Sequence, residues 1–167
     1  MDQSIYKQLI DILKQEYEQY LKLNKIALSK KDTIVENRVD ELSELIKEDN
    51  DIIDIINDLE KKRSNITLEI FQNNNLSDND INFSNLIKVI PAPCQDELYD
   101  VRQKLLKIID ELHIQNEQNS FLVTEAIKLN NASLNIFINA LQPEDKIYNM
   151  KQKSTERKSS HLIDRRG

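Results

Sequence analysis

Apolar residues recur at steps of three and four along most of this chain. Ile5, Leu9, Ile12, Leu13, Tyr20, Leu23, Ala27 and Ile34 draw the stripe of an amphipathic helix, interrupted only by Glu16 and Lys30. The spacing predicts a first helix over 4–36, roughly 50 Å long at the rise of an α-helix. A break at Asn37 follows, because Asn ends helices in the left-handed conformation, and Asp40 stands ready as the next N-cap. A rival break at Lys31-Asp32 rests on the capping-box look of Thr33-Ile34-Val35-Glu36; the later break is favoured. A second helix over 40–71 carries the heptad-like seam Leu42, Leu45, Asp49, Ile52, Ile56, Leu59, Arg63, Ile66, Ile70. The short connection makes the first helix its antiparallel partner.

Residues 72–94 read as a linker. Gln72-Asn73-Asn74-Asn75 and Ser77-Asp78-Asn79-Asp80 are turn chemistry, Phe83 to Ile90 has room for one short helix, and Pro91 and Pro93 forbid a regular helix there. A third long helix over 95–141 stops at Pro143. Its seam runs Leu98, Val101, Leu105, Ile108, Leu112, Gln115, Asn119, Leu122, Ala126, Leu129, Ser133, Ile136, Ala140, polar in the middle. The expected fold is all-α: a long antiparallel coiled-coil hairpin, then a third long helix after a Pro-containing linker. Residues 1–141 form the helical domain, and 142–167 a flexible basic tail.

Composition sharpens this. One Gly, three Pro and no Trp among 167 residues leave little material for hairpins of strands or a phosphate-cradling loop. The net charge of −6 disfavours nucleic acid as a partner. Residues 142–167 nevertheless carry seven Lys or Arg against four Asp or Glu. No signal segment opens the sequence and no apolar run is long enough to span a bilayer, so the expected compartment is the cytosol, with no membrane insertion.

Candidate chemistry is sparse. His113 and His161 have no second ligand at zinc spacing, and Cys94 has no candidate base near it in sequence. Asp49, Asp51, Asp54 and Asp58 lack the Gly turn and closing Glu of a calcium loop, and read as a solvated helix face. The chain is therefore expected to have no catalytic, metal or cofactor site and not to be an enzyme.

The informative stretch is Phe121 to Leu141, where only Glu125 and Lys128 are charged. Beyond the seam, it leaves Phe121, Ile127, Leu134, Phe137, Ile138 and Leu141 on other faces. Two readings stand: the first two helices bury these side chains in a three-helix bundle, or they are a surface for a partner's helix.

The order of parts resembles the FlgN family of flagellar type III export chaperones. The matching pieces are Lys31 to Asn37 before Asp40-Glu41-Leu42, then Leu59-Glu60-Lys61-Lys62-Arg63, Glu97-Leu98 to Leu105, and Leu112 to Asn119 with its paired Asn116 and Asn119. Tyr148-Asn149 and Leu162-Ile163-Asp164-Arg165-Arg166 resemble the family's C-terminal signature, with Asn149 where Gly is common and Arg166-Gly167 in place of Lys-Ala. The resemblance implies binding of hook-associated proteins of the hook–filament junction through their C-terminal helical segments, and delivery to the flagellar export apparatus. It places cargo contact in the last third of the chain, which selects Leu122, Ile127, Leu134, Phe137 and Leu141. The competing reading is a structural coiled-coil scaffold or tether unrelated to export.

Overall fold

The computed structural model describes residues 3–76 and 81–141. Four helices follow one another: α1 (Gln3–Val35), α2 (Val39–Asn73), α3 (Phe83–Val89) and α4 (Ala92–Leu141). No strand is present among the described residues, and the all-α expectation holds. The expected tail, 142–167, lies outside the described residues. The chain divides into two compact units, Met1–Val123 and Thr124–Gly167; the described part of the second is the last portion of α4.

The α1–α2 turn follows from one backbone position. Asn37 takes a φ of 55°, which Asn tolerates better than most residues. The Arg38 amide then donates to the Thr33 carbonyl at 2.9 Å and the Asn37 amide to Ile34 at 3.2 Å. These two bonds satisfy carbonyls that the helix end would orphan. Thr33 stays inside α1, its hydroxyl donating to the Lys30 carbonyl at 2.8 Å, so the earlier break does not occur. Asp40 does not cap α2. The N-cap is Arg38, without a side-chain cap bond, and Asp40 and Glu41 lie in the first turn, where their charge complements the helix dipole.

α2 ends by the same device. Asn75 has a φ of 54°, and the Leu76 amide reaches back to the Phe71 carbonyl at 3.0 Å. Leu76 packs on the cluster that buries Phe71, the apolar contact that accompanies this kind of helix end. In α3, the Asn82 side chain caps by accepting from the Asn85 amide at 2.9 Å.

α4 begins at Ala92, three residues earlier than expected, with Pro93 inside its first turn. The prolines do not forbid helix there, because first-turn amides have no intrahelical acceptor and proline's missing N–H costs nothing. Gln95 secures the junction by donating from Nε2 to the carbonyls of Ile87 and Ile90 at 3.0 and 2.8 Å.

Within the first unit, two apolar clusters hold the helices. Tyr6, Leu9 and Ile10 of α1 meet Ile70 and Phe71 of α2, Leu86 of α3, and Cys94 and Leu98 of α4. Further along, Leu23 and Ile26 meet Ile52 and Ile56, with Leu112 packed on them. α2 is thus antiparallel to α1, and α4 runs parallel to it.

The charges that interrupt the stripe of α1 have partners in the seam of α2. Glu16 accepts from Arg63 Nε at 2.8 Å, and Lys30 meets Asp49 at 2.5 Å. Both pairs lie in a single antiparallel register: 14 residues forward on α1 correspond to 14 residues back on α2. A helix slipped by one residue loses both, so the pairs specify alignment as well as attraction.

Candidate functional site: the exposed end of the fourth helix

α4 changes partners along its length. Its early seam, Leu98, Val101, Leu105 and Ile108, is buried, while Asn119 is the last buried residue on it among those described. Asn119 donates from Nδ2 to the Ala27 carbonyl at 2.7 Å. The side-chain oxygens of Asn24, Gln115 and Asn119 are also buried here, and accept no hydrogen bond. Apolar attraction therefore gives way to polar contact at Gln115, the place where the seam turns polar in the sequence.

Beyond this point the helix is apolar and uncovered. Of the five side chains picked from the sequence, Leu122 is half-buried. Ile127, Leu134, Phe137 and Leu141 are exposed at 55, 58, 63 and 66%. Leu129, Ile136 and Ile138 are exposed as well. Taken by itself, the described part of the second unit leaves these side chains uncovered. Its charge is nearly nil, since Lys128 pairs with Glu125 at 2.8 Å. Such a surface attracts other apolar helices without electrostatic steering.

Two features were not read from the sequence. Phe121 joins Leu122, Lys31, Glu117 and Gln118 in a shallow depression. A cleft of about 330 Å³ opens where α1, α2, α3 and α4 meet, lined by Leu9, Glu16, Arg63, Phe83, Leu98 and Arg102 among others. The Arg102 guanidinium lies 4.3 Å over the Phe83 ring. Burial pushes the Glu16 carboxyl above its ordinary value of 4.5, and Arg63 opposes that rise. The Tyr20 hydroxyl beside it is raised, again chiefly by burial. The only sequence signal for this cleft was the pair of opposite charges, Glu16 and Arg63, set into apolar seams.

The other residues weighed in the sequence have ordinary surroundings. His113 Nε2 lies 3.3 Å from Glu117 on an exposed face. Cys94 is buried in the first apolar cluster. Asp58 pairs with Lys61, and Asp51 and Asp54 face solvent. Among the described residues no group of three or more His, Cys, Asp or Glu could hold a metal ion. No helix among them is long and apolar enough to cross a membrane.

Neither a curated protein nor a solved structure matches the chain. A family model does, described as FlgN protein and matching residues 1–156. That span takes in the hairpin, the linker and all of α4, and the chain belongs to the FlgN family of flagellar export chaperones.

Proposed function

We propose that this chain works in the cytosol on hook-associated proteins of the hook–filament junction. It covers their C-terminal helical segments until export and hands the cargo to the export apparatus, with the end of α4 as the contact surface. The observation that carries this reading is the run of exposed apolar side chains from Ile127 to Leu141 on a helix almost without charge.

The energetics suit a carrier. Seven side chains, about 60% exposed, regain very roughly 6–13 kcal/mol on burial. Ordering a flexible partner segment costs about 2–5 kcal/mol. The difference spans about 1–11 kcal/mol, and its middle, near 6 kcal/mol, corresponds to a dissociation constant of tens of micromolar, a reversible hold. The work is non-enzymatic: it consists of covering a surface and uncovering it.

The test is co-purification of the full chain with its junction proteins, comparing wild type with a Leu134→Asp, Phe137→Asp variant. Loss of the complex with unchanged helicity is the expected result. An unimpaired complex refutes the assignment of the surface. A scaffold would instead appear as a stable oligomer of the chain alone, seen by light scattering without cargo.

A further inference from the structure

We propose that the cleft where α1, α2, α3 and α4 meet binds an alkyl carboxylate of the medium-chain fatty-acid type, with Arg102 holding the carboxylate. The cleft lies wholly within the first unit, so the proposal stands apart from the docking reading of the end of α4.

Shape limits the body of the ligand. The cleft measures about 330 Å³, at the small end of the range for ligand sites, about 300–1,000 Å³. Along α4 its lining runs from Leu98 to Ile109, roughly 16 Å at the rise of an α-helix. That volume over that length leaves a mean cross-section of about 20 Å², too narrow for a helix about 10–12 Å across and wide enough for a single alkyl chain. Leu9, Leu13, Leu98 and Leu105 face this space. Leu106 and Ile109 line it too and are still 48 and 41% exposed. A chain entering the cleft removes apolar surface from water on both sides of the contact, which drives entry.

Charge selects the head. Four charged side chains line the cleft: Glu16, Glu60, Arg63 and Arg102. Arg63 is committed, with Nε 2.8 Å from Glu16 and Nη2 3.9 Å from Glu60. Arg102 has no carboxylate partner among the described residues. Its guanidinium lies 4.3 Å over the Phe83 ring, which itself lies 6.2 Å from the ring of Tyr99. A guanidinium held over an aromatic ring keeps N–H donors for a carboxylate, which it binds through two parallel hydrogen bonds. The ring also fixes the side chain in advance, so less freedom is lost on binding. Glu16, Glu60 and Arg63 together leave one excess negative charge, which repels a second anionic group. The ligand therefore carries one carboxylate and an uncharged body.

The experiment follows backbone amides of the full, nitrogen-15-labelled chain by NMR during titration with sodium decanoate below its micelle-forming concentration. Decanol, the same chain without the charge, is the control. Decanoate is expected to shift amides of Phe83–Leu86 and Leu98–Ile109 saturably, and to bind at least about tenfold more tightly than decanol. Arg102→Gln is expected to abolish that preference while leaving helicity and the weak decanol binding unchanged. Arg102→Lys keeps the charge without the fork and is expected to lose part of the preference; it also serves if the glutamine variant fails to fold. Equal binding of decanoate and decanol by the wild type overturns the proposal. So does a preference that survives Arg102→Gln, since the carboxylate is then held elsewhere. Absence of a saturable shift, or shifts confined to 126–141, overturns it as well.

Discussion

Phe71 and Phe137 are the same residue type on two helices, and they make opposite predictions for the same substitution. Phe71 is fully buried, at 0% exposure, in the cluster formed by α1, α2, α3 and α4. Phe71→Ala removes a ring from a filled space and is expected to cost about 3–5 kcal/mol. Phe137 is 63% exposed on a helix with no buried neighbours near it in sequence. Phe137→Ala loses little burial and gains the better helix former, so its effect should lie within about 0.5 kcal/mol of zero. Urea unfolding followed by circular dichroism separates them. At about 2 kcal/mol per molar urea, Phe71→Ala moves the midpoint down by roughly 2 M and Phe137→Ala leaves it in place. A loss beyond about 1 kcal/mol for Phe137→Ala, measured at a concentration where the chain is monomeric, would show the end of α4 covered in the free protein. The reasoning for a surface held open would then fail.

Three further outcomes follow from single positions. Asn37→Gly should be neutral or slightly stabilising at its φ of 55°, whereas Asn37→Val should cost about 1–2 kcal/mol, read as a fall in unfolding midpoint. Asn119→Asp turns the donor at Ala27 into a buried acceptor with charge, and a loss of at least 2 kcal/mol is expected on the same assay. Glu16 has a folded-state pKa raised above 4.5, so the folded chain binds its proton more tightly than the unfolded chain does. Its contribution to stability is full below the ordinary carboxyl value and declines as pH rises through the raised one. Wild type should therefore gain stability relative to Glu16→Gln as pH is lowered from 7 to 4, the gain setting in above 4.5, and a difference that does not change with pH would contradict the burial of this carboxyl.

Much of the fold was legible because it rests on periodicity and two asparagines. The seam of α2 and the early seam of α4 were visible as heptads, and Asn37 marked the turn because few other residues accept its backbone conformation cheaply. Pro93 was misjudged because composition records that a proline is present, while its cost depends on whether its position has an amide to lose. Glu16 and Lys30 looked like interruptions of α1 because a pattern on one helix does not include the opposite charges, Arg63 and Asp49, that another helix brings to them. The excess of apolar residues near the end of α4 was equally legible, but whether it was core or surface depended on where the hairpin's cover stops. No local signal encodes that boundary; the nearest hint was the polar pair Gln115 and Asn119 in the seam.

The brevity of the α1–α2 connection has a consequence for the newborn chain. All of 3–73 is translated before Ala92, the first residue of α4. At about 5–20 residues per second, the ribosome needs on the order of 3–10 s to add the 50 residues of α4. A pair of helices joined by three residues closes far faster than that, since its contacts are near in sequence. The stickiest segment, Ile127 to Leu141, is also the latest of the described residues to be made, so it enters solution after the rest of the molecule has had time to fold.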